Sequence, residues 1–183
     1  MCIRNRNYHE VGGASPTGCT NHTPHPGPGP RFVWSTSILP FLDQAPLYKQ
    51  LDSNSHRIIS RQPLETSLAT YRCPSDTSSA TNPLRGGFGT SNYSGNFGTI
   101  APPRWLTGGM NPGWAGEAAT LTKADGIFWF NSRVRFRDCK DGTSNILFVG
   151  ERCVSSGSGI WMGVRGNNFE NDVVSDFSVG NEM

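Results

Sequence analysis

The apolar side chains of this chain come in short runs that turn-forming residues separate. Glycine occurs 22 times and proline 13 times among the 183 residues. Glycine adopts positive φ readily, and proline can neither donate to a β ladder nor continue a helix, so both residues end regular elements. No apolar run approaches the roughly 20 residues of a membrane-spanning helix. The spacing therefore limits the chain to short strands and short helices joined by loops.

Runs of β-branched and aromatic residues predict strands in the C-terminal half of the chain. Four such runs are "GIFWFNS" (126–132), "RVRFRDC" (133–139), "NILFVGER" (145–152) and "GIWMGVRG" (159–166). Because turn residues separate them, we expect an antiparallel meander of about four strands. Earlier in the chain, "LATYRCPSD" (68–76) predicts a short strand and "GTSNYSGNFGT" (89–99) a strand or an extended loop.

The stretch "RFVWSTSILPFLDQAPLYKQLD" spaces its apolar residues by three to five positions, which favours helix. Pro40 and Pro46 divide it into two short helices, roughly 35–43 and 45–52. We expect Ser35 or Thr36 to cap the first helix and Pro46 to lie near the start of the second. The fold class is therefore α+β, with short N-terminal helices packed on the meander.

One domain, 1–183, accounts for a chain of this length. Its first 30 residues are rich in Gly, Pro, Ser and Thr, and they predict an irregular, flexible N-terminal segment (1–30). The 16 Lys and Arg residues and 14 Asp and Glu residues leave a net charge of +2, and no basic block occurs. The electrostatic footprint of a nucleic-acid-binding protein is missing, so we exclude DNA and RNA as partners.

Two patterns could bind metal ions. Cys19, His22 and His25 supply one thiolate and two imidazoles, which could hold zinc or copper, whereas the alternative is an exposed polar loop. In "DCKDGTSN", the oxygens of Asp138, Asp141 and Asn145 could hold calcium, but the spacing is not that of an EF-hand. We interpret this second stretch as a structural turn in which Asp141 accepts backbone hydrogen bonds and Gly142 takes positive φ.

A catalytic triad is not indicated, because there is no G-x-S-x-G motif and all four histidines precede residue 57. Carboxylates near tryptophans suggest a different activity, since sugar-cleaving enzymes combine paired carboxylates with aromatic platforms. The carboxylates are Glu117, Asp125, Asp141 and Glu151, and the tryptophans are Trp105, Trp114, Trp129 and Trp161. The alternative is that the acids cap turns and the tryptophans fill the core.

Six sequence blocks occur in a recognisable order. They are "NYH", "WSTSILPFLDQAPLYKQLD", "YRCPSD", "SNYSGNFG", "DGIFWFNSRVRFRDCKDGTSNILFVGER" and "GIW". The series, which covers roughly residues 31 to 165, resembles the planctomycetal family of prepilin-type proteins of unknown function. The resemblance implies a pilin-like or pseudopilin-like domain that is exported to the cell surface or outside the cell. It brings no established catalytic residues.

Two blocks usual in that family do not appear, namely the long hydrophobic helix before "NYH" and the C-terminal His…Asp-Gly-Ser/Thr block. We therefore interpret the chain as a fragment or a divergent member, and we expect a monomer or small oligomer rather than a pilus. Export implies an oxidising compartment, where we expect at least one disulfide among Cys73, Cys139 and Cys153, with Cys139 to Cys153 the favoured pair across the meander.

The sequence thus favours an exported, non-enzymatic surface or pseudopilus-like protein that acts through protein or polysaccharide contacts. The alternative is a secreted carbohydrate-active hydrolase that uses the carboxylates and tryptophans named above. No cofactor is expected apart from the possible calcium ion.

Overall fold

The computed structural model describes residues 8–18, 31–51, 62–83, 87–96, 98, 126–128, 132–153 and 159–164. Within these ranges the chain forms short helices and small antiparallel sheets, which confirms the α+β class. None of the helices in the described ranges has the length and apolar character needed to cross a membrane.

Proline placement explains how the helical stretch between residues 34 and 50 is divided. Helix α1 spans Trp34–Ser37, a 3₁₀ helix follows at Leu39–Leu42, and α2 spans Ala45–Gln50. A proline in the first turn of each of the last two elements supplies a preset φ where no backbone donor is needed. Both predicted helices are confirmed, but the first is broken into an α-helical and a 3₁₀ portion. Val33, rather than Ser35 or Thr36, occupies the N-cap of α1, and no side chain caps it.

In the described residues, seven short strands form three antiparallel sheets. The strands are β1 (Arg31–Phe32), β2 (Thr81–Asn82), β3 (Phe88–Ser91), β4 (Tyr93–Gly95), β5 (Val149–Glu151), β6 (Gly159–Ile160) and β7 (Gly163–Val164). Strand β1 pairs with β7, β4 pairs with β5, and β3 lies between β2 and β6. The register places Phe32 opposite Gly163, Thr90 opposite Ile160 and Ser94 opposite Gly150.

The described residues of the four C-terminal runs do not form the predicted meander. Strands β5, β6 and β7 pair with the earlier strands β4, β3 and β1 rather than with one another. Residues 133–139 contain a 3₁₀ helix, Phe136–Asp138, because Asp138 Oδ2 accepts a hydrogen bond from the Arg135 backbone N–H and closes a tight turn. The predicted strand at 68–76 is also wrong, since Ala69–Tyr71 is a 3₁₀ helix. The extended stretch at 89–99 is confirmed by β3 and β4.

A single apolar cluster joins the helices to the sheets. Its largest fully buried members are Trp34, Trp161, Tyr71, Phe128, Ile38, Leu39, Leu64, Met162 and Val33. The Trp34 ring stacks on Phe128 with centroids 5.3 Å apart and meets Tyr71 edge-on at 6.3 Å. Burial of each large apolar side chain contributes about 1.5–3 kcal/mol, so these rings hold the small sheets together.

Part of the N-terminal segment packs against residues 132–136. Residues 8–12 are helical. The Ser15 N–H donates to the Val134 carbonyl at 2.8 Å, and Gly18 N–H donates to Ser132 Oγ at 3.1 Å. The His9 ring stacks on Phe136 with centroids 4.0 Å apart, and its Nε2 accepts the Phe136 N–H at 3.2 Å. Residues 1–7 and 19–30 of the predicted flexible segment lie outside the described ranges.

Candidate functional site

Most residues of the predicted carbohydrate and zinc or copper sites lie outside the described ranges. These residues are Glu117, Asp125, Trp105, Trp114, Trp129, Cys19, His22 and His25. The paired-carboxylate hypothesis and the Cys-His metal site therefore stay predictions. Within the part of the chain that the structure describes, no group of three or more His, Cys, Asp or Glu side chains is arranged to hold a metal ion.

Two of the predicted catalytic carboxylates are described, and both are exposed. Asp141 lies in the turn between the 3₁₀ helices Phe136–Asp138 and Thr143–Asn145. Glu151 ends β5 opposite Tyr93 of β4. Burial raises the pKa of the Tyr93 hydroxyl, and the Glu151 carboxylate adds to the rise because a second negative charge beside it is unfavourable. The described effect of the Glu151 carboxylate is therefore on the pKa of Tyr93.

Trp161 is a core residue rather than a surface platform. Its ring is fully buried, and its Nε1–H donates to the Thr66 carbonyl at 2.7 Å. A saccharide stacks on an exposed aromatic face, and this ring offers none. Of the two interpretations of the tryptophans, the structural one applies at this position.

The stretch that could hold calcium forms two linked turns. Asp138 Oδ2 accepts hydrogen bonds from the backbone N–H of Arg135 at 2.9 Å and from its Nε–H at 3.2 Å. These two bonds hold the pKa of Asp138 below its usual range, and the backbone bond has the larger effect. Asn145 Nδ2 donates to the Asp141 carbonyl at 2.7 Å, and Gly142 has a φ of 80°. Gly142 takes the predicted positive φ, but the carboxylate that accepts backbone hydrogen bonds is Asp138 rather than the expected Asp141.

No disulfide joins Cys139 to Cys153 in the structure. The favoured pairing assumed a hairpin between residues 133–139 and 145–152. The first of these segments is not a strand, and β5 pairs with β4 instead, so no ladder aligns the two cysteines. The Cys139 thiol donates to the Arg135 carbonyl at 3.8 Å. Burial, together with the nearby Asp138 carboxylate, raises the pKa of this thiol.

A polar cluster that the sequence analysis missed is centred on the buried side chain of Asn92, which is 1% exposed, and its other members are half-buried. Asn92 Oδ1 accepts the Cys73 N–H at 3.0 Å. Its Nδ2 donates to the Arg152 carbonyl at 3.0 Å and to Asp76 Oδ2. One carboxamide thus connects three chain segments that are far apart in sequence. We call Arg72, Cys73, Asp76, Asn92 and Arg152 the Asn92 cluster.

Arg72 organises the loop on the outer side of the Asn92 cluster. Its guanidinium donates to the carbonyl oxygens of Ser78 at 2.6 Å and Asp76 at 3.3 Å, and also to that of Ser79. Asp76 Oδ1 accepts the Ser78 N–H at 2.8 Å. That backbone bond, the Asn92 amide and the positive charge of Arg72 together lower the pKa of Asp76. Hydrogen bonds that Arg72 donates and Asp76 accepts therefore hold the loop at residues 72–79 in its conformation.

A second set of long-range hydrogen bonds starts from α1. Ser35 Oγ donates to the Trp161 carbonyl at 2.6 Å, and Thr36 Oγ1 donates to the Met162 carbonyl at 2.9 Å. The Tyr71 hydroxyl donates to the Ser35 carbonyl at 2.5 Å. All three donors are buried. We call these three bonds the hydroxyl network. The first two satisfy carbonyl groups at the turn between β6 and β7, and the third satisfies a carbonyl group of α1.

The Asn92 cluster and the hydroxyl network use the polar residues of the sequence blocks. Ser35 and Thr36 belong to the "WSTS" block, Asp76 to "YRCPSD" and Asn92 to "SNYSGN". Each is bonded to a segment other than its own. A signal was therefore present in the sequence, since short polar blocks recur between apolar runs, but the pattern could not say which backbone groups they reach. The arrangement stabilises the fold.

Comparison with known proteins relates this chain to one protein family. The sequence profile of one family, described as SBP_bac_10, protein of unknown function (DUF1559), matches residues 6–178. A search of curated proteins and a search of solved structures each returned no match. Because the matched region spans nearly the entire chain, the protein belongs to the DUF1559 family of unknown function.

Proposed function

We propose that this protein is an exported, non-enzymatic surface protein of the pilin or pseudopilin type, which acts through contacts with proteins or polysaccharides. Its membership of a family of unknown function leaves the activity open. The resemblance of its ordered blocks to prepilin-type proteins supplies the expectation of export. The observation that carries the proposal is the use of the polar block residues within the fold.

A catalytic side chain must be accessible to substrate. A structural polar side chain is instead buried and forms hydrogen bonds with backbone groups. Ser35, Thr36 and Asn92 are at most 1% exposed, and their polar side-chain atoms are bonded to backbone carbonyls or N–H groups. Buried polar groups satisfied in this way specify one arrangement of the chain. The polar block residues then build a scaffold, and the loops between the blocks present the binding surface.

Export can be tested in the host cell by inserting an epitope tag after Gly142. This position lies in an exposed turn, and a Cβ placed on Gly142 would meet no other atom within 4 Å. Insertions at such loop tips are tolerated. Antibody should label intact cells, and labelling should disappear after protease treatment of those cells. Labelling that requires permeabilised cells would overturn the export part of the proposal. The same tag on a cytoplasmic protein provides the control.

The non-enzymatic part needs a separate measurement on the purified chain. We expect binding to envelope polysaccharides or envelope proteins without release of reducing sugar. The variants Asp141→Asn and Glu151→Gln should bind as the wild type does, since both side chains are exposed and neither belongs to the Asn92 cluster. Release of reducing sugar that either variant abolishes would instead support the hydrolase.

A further inference from the structure

Cys73 and Cys153 lie on either side of one buried side chain. The Cys73 N–H donates to Asn92 Oδ1 at 3.0 Å. Asn92 Nδ2 donates at 3.0 Å to the carbonyl of Arg152, the residue that precedes Cys153. The carboxamide of Asn92 therefore bridges the Cys73 N–H and the Arg152 carbonyl.

Main-chain hydrogen bonds hold the same two segments on Asn92. The Asn92 N–H donates to the Tyr71 carbonyl at 2.8 Å, and the Arg152 N–H donates to the Asn92 carbonyl at 2.6 Å. The second bond extends the β4–β5 ladder by one residue beyond Glu151. Four hydrogen bonds to one residue thus align the chain around Cys73 with the chain that leads into Cys153.

Tyr93 lies next to both cysteine-containing segments. Tyr93 and Glu151 are directly opposite in the β4–β5 ladder, so their side chains share a face. Cys153 follows Glu151 by two positions, which in extended chain returns to that face. Cys73 adds to the raised pKa of Tyr93, after burial and the Glu151 carboxylate. This effect agrees with the hydrogen bonds that hold both segments on Asn92, the residue next to Tyr93.

We propose that Cys73 and Cys153 form a disulfide that fastens the loop after Tyr71 to the end of β5. The structure holds both cysteines in the reduced form. Cys153 is exposed and Cys73 is half-buried, so an oxidant can reach the pair. A disulfide requires Cα atoms about 4.4–6.8 Å apart, a separation that the shared hydrogen bonds to Asn92 favour.

The bond forms by thiol–disulfide exchange with a small disulfide such as oxidised glutathione. The thiolate of one cysteine attacks the oxidant and releases one glutathione, which leaves a mixed disulfide. The second thiolate attacks the protein sulfur of that mixed disulfide and releases the other glutathione. Two protein thiols are oxidised, one glutathione disulfide is reduced to two thiols, and the two protons end on those thiols.

Mass spectrometry of a tryptic digest identifies the cysteine pairing, because each of the five cysteines lies on a different peptide. Cys73 lies on peptide 73–85, Cys139 on 138–140 and Cys153 on 153–165, and the remaining two lie on 1–4 and 7–31. The native chain is oxidised with glutathione disulfide, alkylated and digested without reduction. We expect peptide 73–85 linked to 153–165, with the linkage lost on addition of dithiothreitol.

A chain oxidised in denaturant is the control, and it should give a mixture of pairings. The same mixture from the native chain, or peptides 73–85 and 153–165 recovered unlinked, would overturn the proposal. Thermal unfolding gives a second readout. Oxidation should raise the Tm of the wild type and of Cys139→Ser, but not that of Cys73→Ser or Cys153→Ser. A rise that persists in Cys73→Ser would also overturn it.

Discussion

The Tyr71 hydroxyl donates a 2.5 Å hydrogen bond to the Ser35 carbonyl, 36 residues earlier in the chain. The Ser35 hydroxyl in turn donates to the Trp161 carbonyl, 126 residues later. One hydroxyl network therefore joins α1, the 3₁₀ helix Ala69–Tyr71 and the turn after β6, so a change at one member affects all three elements.

Tyr71→Phe should lower the free energy of unfolding by about 1–3 kcal/mol, because it removes the donor and leaves the ring in place. Urea unfolding followed by tryptophan fluorescence measures the change. Tyr48→Phe is the matched control, since Tyr48 is only half-buried, and it should change stability by less than about 0.5 kcal/mol. Equal losses in the two variants would mean that the Tyr71 hydrogen bond does not contribute.

Asp76 should make stability depend on pH in the acid range. The Ser78 N–H, the Asn92 amide and the Arg72 charge lower its pKa in the folded protein. A lowered folded pKa gives a stabilisation that is complete above the unfolded value of about 3.9 and is lost as the pH falls through the folded value. The stability difference between wild type and Asp76→Asn should therefore shrink between about pH 5 and pH 2. A difference that stays constant over this range would contradict the assignment.

Asn92→Asp should be strongly destabilising at neutral pH. The variant keeps the shape of the side chain but turns a carboxylate oxygen towards two acceptors, the Asp76 carboxylate and the Arg152 carbonyl. We expect a loss of more than about 2 kcal/mol at pH 7, measured by urea unfolding. Like charge should raise the pKa of the new carboxyl in the folded state, so its protonation should recover part of the loss as the pH falls.

Asn145→Asp provides the control for that variant. Asn145 is exposed, although its amide also donates to a carbonyl. Water can replace its bond, so the cost should stay below about 1 kcal/mol. If the two aspartate variants lost equal stability, burial of the Asn92 side chain would not be the reason for the effect.

Gly89→Ala should destabilise the sheet formed by β2, β3 and β6. A Cβ at this position would lie far inside van der Waals contact of the Thr66 carbonyl and the Trp161 Nε1, which are hydrogen-bonded to each other. Overpacking of this kind costs about 1–3 kcal/mol or more. Gly12→Ala is the control, because its Cβ would meet only the Tyr8 side chain, at 3.3 Å. Thermal unfolding of the two variants should separate them clearly.

Calcium should not raise the Tm of this protein. The Asp138 carboxylate already accepts hydrogen bonds from Arg135, and the amide of Asn145 is bonded to the Asp141 carbonyl. A ligand that binds only the folded state raises its stability with ligand concentration. Thermal unfolding curves in excess calcium and in chelator should therefore coincide. A calcium-dependent rise abolished by Asp141→Ala, but retained in Asp43→Ala, would make the loop a metal site.

The sequence alone determined the features that depend on a few neighbouring residues. Pro40 and Pro46 divide the N-terminal helical stretch because a proline ring fixes φ and removes a donor wherever it stands. The positive φ at position 142 was predicted for an equally local reason, because glycine has no Cβ to disfavour that conformation. The alternation of short apolar runs and turn residues was enough to give the α+β class.

Tertiary structure decided which segments pair and which polar groups become buried. Ser35 fits an N-cap by local rules, but the Trp161 carbonyl lies within reach only in the folded chain, and the serine donates to it instead. Residues 133–139 have the composition of a strand, yet β4 takes β5 as its partner and the segment closes into a turn. Strand pairing depends on a partner far away in sequence, and the cost of an unsatisfied polar group depends on burial by the whole fold. The sequence placed Asn92 only in a predicted strand or extended loop, and the assembled chain makes it the centre of a polar cluster.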